Sequence, residues 1–281
     1  MNVSLCCIAK WENLYIRDFV EYYEKIGFSN ITIYDNNEKS DEHFEDVIKD
    51  YIDSGFVRIV DVRGMGCGLQ MRVYSDFYSR YHNEYDWIAF FDVDEYLLLK
   101  KDKTISDYLS RDCFNKFNCI HVNWVMFDDN DLLRYTPVPV MDRFTRPVYD
   151  ENNESHNIHI KTIVKCLPCV NHIVFPTPHH CEFEGIHVCD GSGKEVSNTW
   201  NISHGSRDLA QLNHYHCKTV EEFVMNRRNK GGADCFRKVR SYKDLFDMFF
   251  SISKNTDEKI KVFDECIKRA DSGERLSNGK V

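Results

Sequence analysis

The chain has 281 residues, 42% of them apolar and 14% aromatic, enough for one large α/β domain or two small ones with a packed core. Its net charge of −9 argues against a nucleic-acid partner, which requires a basic face, but not against a nucleotide held by a metal and a few local cations. No apolar run approaches the roughly 20 residues of a membrane span. The apolar stretch at residues 3–9 is too short for a signal peptide, and 12 cysteines in so core-rich a chain read as reduced thiols in a cytosol.

In chain order, Val3-Ser4-Leu5-Cys6-Cys7-Ile8-Ala9 reads as a first strand. Asn13 is placed to cap a helix running to Ile26, with Leu14, Phe19, Tyr23 and Ile26 inward and Gly27 as its stop. Ile31-Thr32-Ile33-Tyr34 is a second strand. It ends in Asp35, which either accepts hydrogen bonds from a ribose or base or forms a turn with Asn36 and Asn37. A second helix starts at Ser40-Asp41-Glu42 and stops at Gly55, and residues 56–60 form a third strand. The loop Gly64-Met65-Gly66-Cys67-Gly68 does not fit G-x-G-x-x-G. Gln70 and Arg72 follow it in a helix over residues 69–82, and either reach a diphosphate or form a solvated helix start.

The next strand organises the chain. Trp87-Ile88-Ala89-Phe90-Phe91 is wholly apolar, as a strand buried on both faces requires, and runs into Asp92-Val93-Asp94-Glu95. In open α/β sheets ligands bind at the carboxyl ends of the strands. Asp92 and Asp94 repel each other unless something positive lies between them, so they read as a divalent-metal site, or else as a solvated strand exit. The alternation of strands and helices up to this point predicts a mostly parallel sheet flanked by helices.

The second half is less regular. Residues 119–127 form a strand ending in Asp128-Asp129-Asn130-Asp131, residues 132–157 read as loop-like, and residues 161–165 form a short strand. Thr219-Val220-Glu221-Glu222 is a capping box that opens a helix through Arg228. Two amphipathic helices close the chain, near residues 242–250 and 256–269, and the tail from Asp271 is expected to fray. The aromatics of these last helices serve core packing, or else a peripheral membrane contact or a second subunit.

Four blocks now carry a resemblance. They are Cys7-Ile8-Ala9-Lys10-Trp11-Glu12-Asn13 with Tyr34-Asp35-Asn36; Phe91-Asp92-Val93-Asp94-Glu95-Tyr96-Leu97; Asn123-Trp124-Val125-Met126-Phe127-Asp128-Asp129-Asn130 with Arg143-Phe144-Thr145; and His214-Tyr215-His216-Cys217-Lys218-Thr219-Val220-Glu221-Glu222-Phe223. In these blocks the chain resembles GT-A fold glycosyltransferases, close to glycosyltransferase family 92 and the family-2-like bacterial enzymes. It departs from them at Asp128, where those families usually carry glycine.

The resemblance implies a Rossmann-like GT-A domain over 1–235, with a helical extension over 236–281. It implies a UDP-sugar donor, a glycan or glycolipid acceptor, and Mn²⁺ or Mg²⁺. A divalent ion on the departing diphosphate stabilises the charge that builds there. Asp92, Asp94 and His214 would hold the ion; Asp35, Gln70, Arg72, Asp92 and Lys218 would hold the donor, with Arg227 and Arg228 near the diphosphate. An inverting transfer also needs a base. Asp129 is the choice, with Asp128, Glu182 and Glu184 as rivals. The implied setting is cell-surface polysaccharide synthesis at the cytoplasmic side of a membrane. Two other classes compete: a haloacid-dehalogenase-like phosphatase, which shares a strand ending in D-x-D, and a zinc-binding module built on Cys166 and Cys169 with His179, His180, Cys181 and Cys189. A thioredoxin-like use of Cys166-Leu167-Pro168-Cys169 lacks a following helix.

Overall fold

A computed structural model describes residues 1–148, 156–236 and 238–276. The chain runs β1 (Val3–Ala9), α1 (Ile16–Lys25), β2 (Asn30–Asp35), α2 (Glu45–Asp53), β3 (Val57–Asp61), α3 (Leu69–Tyr81), β4 (Trp87–Phe90) and β5 (Glu95–Leu99). It continues through α4 (Ile105–Leu109), β6 (Cys119–Met126), α5 (Val140–Arg143), β7 (Ile160–Lys165), β8 (Val188–Asp190), β9 (Ala210–His214), α6 (Val220–Lys230), α7 (Tyr242–Phe250) and α8 (Asp257–Asp271).

The sheet order is β3-β2-β1-β4-β7-β6-β9-β5, with β8 on β6. Strands β3, β2, β1 and β4 are parallel, as the sequence predicts. Beyond β4 the sheet turns mixed, because β7 is antiparallel to both its neighbours and β5 is antiparallel to β9. Side chains of a strand alternate between faces. Trp87, Ala89 and Phe91 therefore pack in one core with Phe19, Tyr23 and Tyr96, while Ile88 and Phe90 pack in the other with Tyr74, Phe77 and Phe175. Both faces are buried, which explains the unbroken apolar run. A third core joins α6, α7 and α8 through Phe223, Leu245, Phe249 and Phe263. The aromatics of the last helices thus largely pack inward.

Several expectations need correction. Asn13 does not cap α1. Tyr15 holds that position, and the Asn13 side chain donates to the His43 carbonyl at 3.0 Å. The second helix starts at Glu45 rather than Ser40. The segment after Asp271 is docked, since Arg275 pairs with Asp41 at 3.0 Å and lies over the Trp11 ring. No helix among the described residues is long and apolar enough to cross a membrane.

His121 on β6 is fully buried; burial, with His180 beside it, pushes its imidazole down to about 3. An unfolded histidine titrates near 6.5. A native state that resists protonation is favoured fully above that pH, and loses this contribution as pH falls from about 6.5 toward 3. We predict that stability from urea titrations declines through that window. His121→Asn should flatten the decline by about 1.4 kcal/mol per pH unit. An equal slope in the two proteins contradicts a neutral, buried His121.

Candidate active site

The acids after β4 sit on a turn, closed by the Glu95 amide donating to the Asp92 carbonyl at 3.0 Å. The two aspartates face different partners. Lys161 of β7 is buried and donates to Asp92 Oδ2 at 2.7 Å, with Glu95 Oε2 3.8 Å away. Gln70 Nε2 of α3 donates to Asp92 Oδ1 at 2.7 Å and Tyr74 Oη approaches it at 3.3 Å. Glu95 is fully buried; burial raises its carboxyl well above the usual range despite Lys161. Burial opposes the charge on Lys161, but Asp92 and Glu95 outweigh it and keep the ammonium charged.

Asp94 points elsewhere. Strand β9 places His214 opposite Glu95, so the residues after His214 meet the residue before Glu95, and the Tyr215 amide donates to the Asp94 carbonyl at 2.9 Å. His214 Nε2 lies 3.6 Å from Asp94 Oδ2 and Arg227 Nη2 of α6 lies 3.5 Å from it. Arg227 also reaches His216 Nδ1 at 3.2 Å. Burial alone would raise the Asp94 carboxyl, yet His214, Lys218 and Arg227 hold it well below the usual carboxylate range. Burial and the Arg227 charge push His216 well below an ordinary imidazole, so it is neutral at neutral pH. Ligand atoms of Asp94, His214 and His216 lie within 4.8 Å of one another. Lys218 is buried over the Tyr15 ring, 4.3 Å from its centroid, in a left-handed backbone (φ 53°). Sparsely populated backbone of this kind clusters at functional sites.

The structure brings together Asp94, His214, Lys218 and Arg227, and separately Gln70 with Asp92. It does not bring in the remaining candidates. Asp92 is outside the group of three, with both oxygens already engaged. Asp35 is fully buried at the end of β2, held by Arg63 and by the Asn37 amide at 2.9 Å. Arg72 lies two residues from Gln70, about 200° around the helix. It is exposed and lines a cavity of about 760 Å³ with Asp76, Met65 and Val174. Arg228 turns away to Asp271 at 2.7 Å. Asp129 is fully buried, its oxygens 2.9 and 2.8 Å from the buried Lys259 of α8, so burial shuts it off from an acceptor hydroxyl. Of its rivals, Glu182 faces His180 at 3.7 Å and is exposed, while Asp128 is held by Arg146 at 3.0 Å and stays partly accessible. The zinc reading also falls. Among the described residues the group of three close ligands is Asp94, His214 and His216, and burial raises Cys166 to about 12.

His216 was not singled out from the sequence. Its signal was the spacing His214-x-His216, which puts two imidazoles on one side of an extended segment, as Asp92-x-Asp94 does for acids. Lys161 had no local signal, since it reaches Asp92 across 69 positions.

A half-parallel sheet with an acid–imidazole cluster at its strand ends defines a Rossmann-like α/β domain, with its ligand edge at the carboxyl ends of β1, β2 and β4. Residues 3–225 match the family described as glycosyltransferase family 92. The chain belongs to glycosyltransferase family 92, and the sheet is the GT-A arrangement that its sequence blocks imply. This sets aside the phosphatase reading. A curated family 92 protein of rice, Oryza sativa subsp. japonica, is 25% identical over 108 residues, which are 38% of this chain and 18% of that protein. Among solved structures, S. aureus TarS 1-349 in complex with UDP-GlcNAc is similar over 99% of this chain and 75% of its own, at 14% identity and a TM-score of 0.45. GalNAc-T7 with UDP, GalNAc and Mn²⁺ is similar over 97% of this chain and 56% of its own, at 11% identity and a TM-score of 0.37.

Asp129→Asn removes the buried counter-charge of Lys259 and leaves the exposed Asp131, 2.8 Å away, as its remaining carboxylate. The expected outcome is a loss of about 3 kcal/mol in stability by denaturant unfolding, with UDP affinity of the folded protein unchanged. Full stability together with abolished turnover would restore Asp129 to the chemistry.

Proposed function

We propose that this glycosyltransferase moves a sugar from a UDP-sugar to a hydroxyl of a glycan or glycolipid, with Mn²⁺ held by Asp94, His214 and His216. The observation that carries the reading is the convergence of those three ligands beside Lys218 and Arg227 at the end of the central strand. The donor set fits a metal. His214 Nδ1 is buried without a partner among the described residues, and His216 is neutral, as a ligating imidazole must be. Two nitrogens and one carboxylate suit Mn²⁺ better than Mg²⁺, which prefers oxygen. When bound, the ion would stabilise charge developing on the leaving diphosphate.

The chain's own groups have distinct tasks in this reading. Arg227 and Lys218 supply fixed positive charge to the diphosphate, Arg227 by its fork of donors and Lys218 as a point charge. Asp92, oriented by Gln70, Tyr74 and Lys161, would accept a further hydrogen bond from the donor's ribose through a remaining lone pair. Inversion would require a base, and Asp128 at this end of β6 retains access to solvent, as does Asp131, which Arg146 and Lys259 both hold. A division at residue 235 accompanies the reading, with α7 and α8 contributing support. A role in cell-surface polysaccharide synthesis at a cytoplasmic membrane face is the setting that the family resemblance suggests.

The test is calorimetry of UDP with and without Mn²⁺. In the wild type the two bind cooperatively, since each holds the other. Asp94→Asn should remove that coupling and lower transfer roughly 10²-fold. Equal enhancement of UDP binding by Mn²⁺ in both proteins would remove Asp94 from the site.

A further inference from the structure

A chain of aromatic rings runs from the surface to the acid–imidazole cluster. Trp200 is 43% exposed and its ring centroid lies 5.3 Å from that of His159. His159 stacks on Trp124 at 4.9 Å and 23°, and Trp124 lies 4.2 Å from His214. His179 packs against both Trp124 and His159, at 5.3 and 5.4 Å.

The wall is built rather than incidental. Asn123 of β6 donates to the carbonyls of Asn157, Ile158 and Ile202, at 3.3, 3.3 and 2.8 Å, which ties the segments carrying His159 and Trp200 to the sheet. The Ile202 amide donates to the Ile158 carbonyl at 2.7 Å. A Cβ on Gly205 would stand 2.0 Å from Asn123 Oδ1, so only glycine lets the 202–205 turn close over this amide.

The polar groups of the wall are set as well. His159 Nδ1 faces the His156 carbonyl at 3.1 Å and His179 Nδ1 faces the Ile160 carbonyl at 3.0 Å. A carbonyl only accepts, so each Nδ1 carries the proton and each Nε2 is left as an acceptor. Burial lowers His159, and burial with Lys161 brings His179 down to about 4, so both rings are neutral at neutral pH. The Trp124 indole N–H has no partner among the described residues.

A pyranose has a face of C–H groups and a rim of hydroxyls. The face packs on aromatic carbon, and the hydroxyls pair with imidazole nitrogens. We propose that this wall is the acceptor subsite, where a saccharide stacks on Trp200 and His159 with one hydroxyl directed toward the cluster at His214. The inference rests on the transferase reading above. A saccharide fits the wall better than the donor's nucleoside does. The wall is anchored on β6 by Trp124 and on the segment entering β7 by His159, beyond β4 from the ends of β1 and β2, where a nucleoside binds in sheets of this kind.

The test is saturation-transfer NMR with a panel of methyl glycosides, on protein saturated with UDP and the diamagnetic ion Mg²⁺. In the wild type, at least one glycoside should receive saturation on the C–H protons of one ring face. Trp200→Ala should weaken its binding about tenfold or more, Trp200→Phe should retain most of it, and UDP affinity should not change in either. Equal glycoside affinity in wild type and Trp200→Ala, or no glycoside receiving saturation while UDP binds normally, overturns the subsite alone. Failure of the wild type to bind UDP overturns the donor reading and this inference with it.

Discussion

Lys161 is the charge on which the rest of the site depends. Three acids fall within four residues at Asp92, Asp94 and Glu95, and two of them lose much of their water on folding. Such a cluster cannot be buried unless cations separate its members. Lys161 takes Asp92 and Glu95, while Asp94 turns across the strand end to His214, Arg227 and Lys218. The D-x-D segment is therefore two half-sites. One is neutralised from within the sheet and braced by α3; the other opens toward β9 and α6, where a metal and a diphosphate would find ligands and positive charge. Removing Lys161 would strip Asp92 of its buried counter-charge and leave it to repel Asp94 and to compete for the same cations.

The N-terminal half was legible because its elements are long and periodic. Strand β4 reads as a strand from its apolar run, and α3 is bounded as expected. Strand β9 was missed for a physical reason. Ala-Gln-Leu-Asn-His alternates as a half-exposed strand would, yet both faces are buried. Its polar members satisfy each other: Gln211 donates to Asn213 at 2.7 Å, and Asn213 to Tyr215 Oη at 3.2 Å. Composition does not announce such a strand, and it is β9 that carries His214 to Asp94.

The site residues divide in the same way. Asp94, His214 and Lys218 stood in recognisable blocks, and the structure unites them. Asp129 stood at a strand end, where an acid suggests chemistry, but its partner Lys259 comes from 130 positions away. Spacing along the chain holds no trace of that pairing. Arg72 was misplaced by helix phase alone, since Gln70 and Tyr74 share the inner face and Arg72 does not. The same distant contacts give the C-terminal helices their part. Lys259 of α8 neutralises Asp129, and Arg269 pairs with Glu221 of α6 at 2.5 Å, so α8 braces the helix that carries Arg227.

The central claim is that imidazole nitrogens, not the paired aspartates alone, complete the metal site. Pulsed electron paramagnetic resonance of Mn²⁺ added to the protein with UDP reads this directly, because nitrogen ligands modulate the echo and oxygen ligands do not. The account predicts nitrogen modulation in the wild type that weakens in His214→Ala and in His216→Ala. Tight binding of Mn²⁺ and UDP with no nitrogen modulation in the wild type would contradict it.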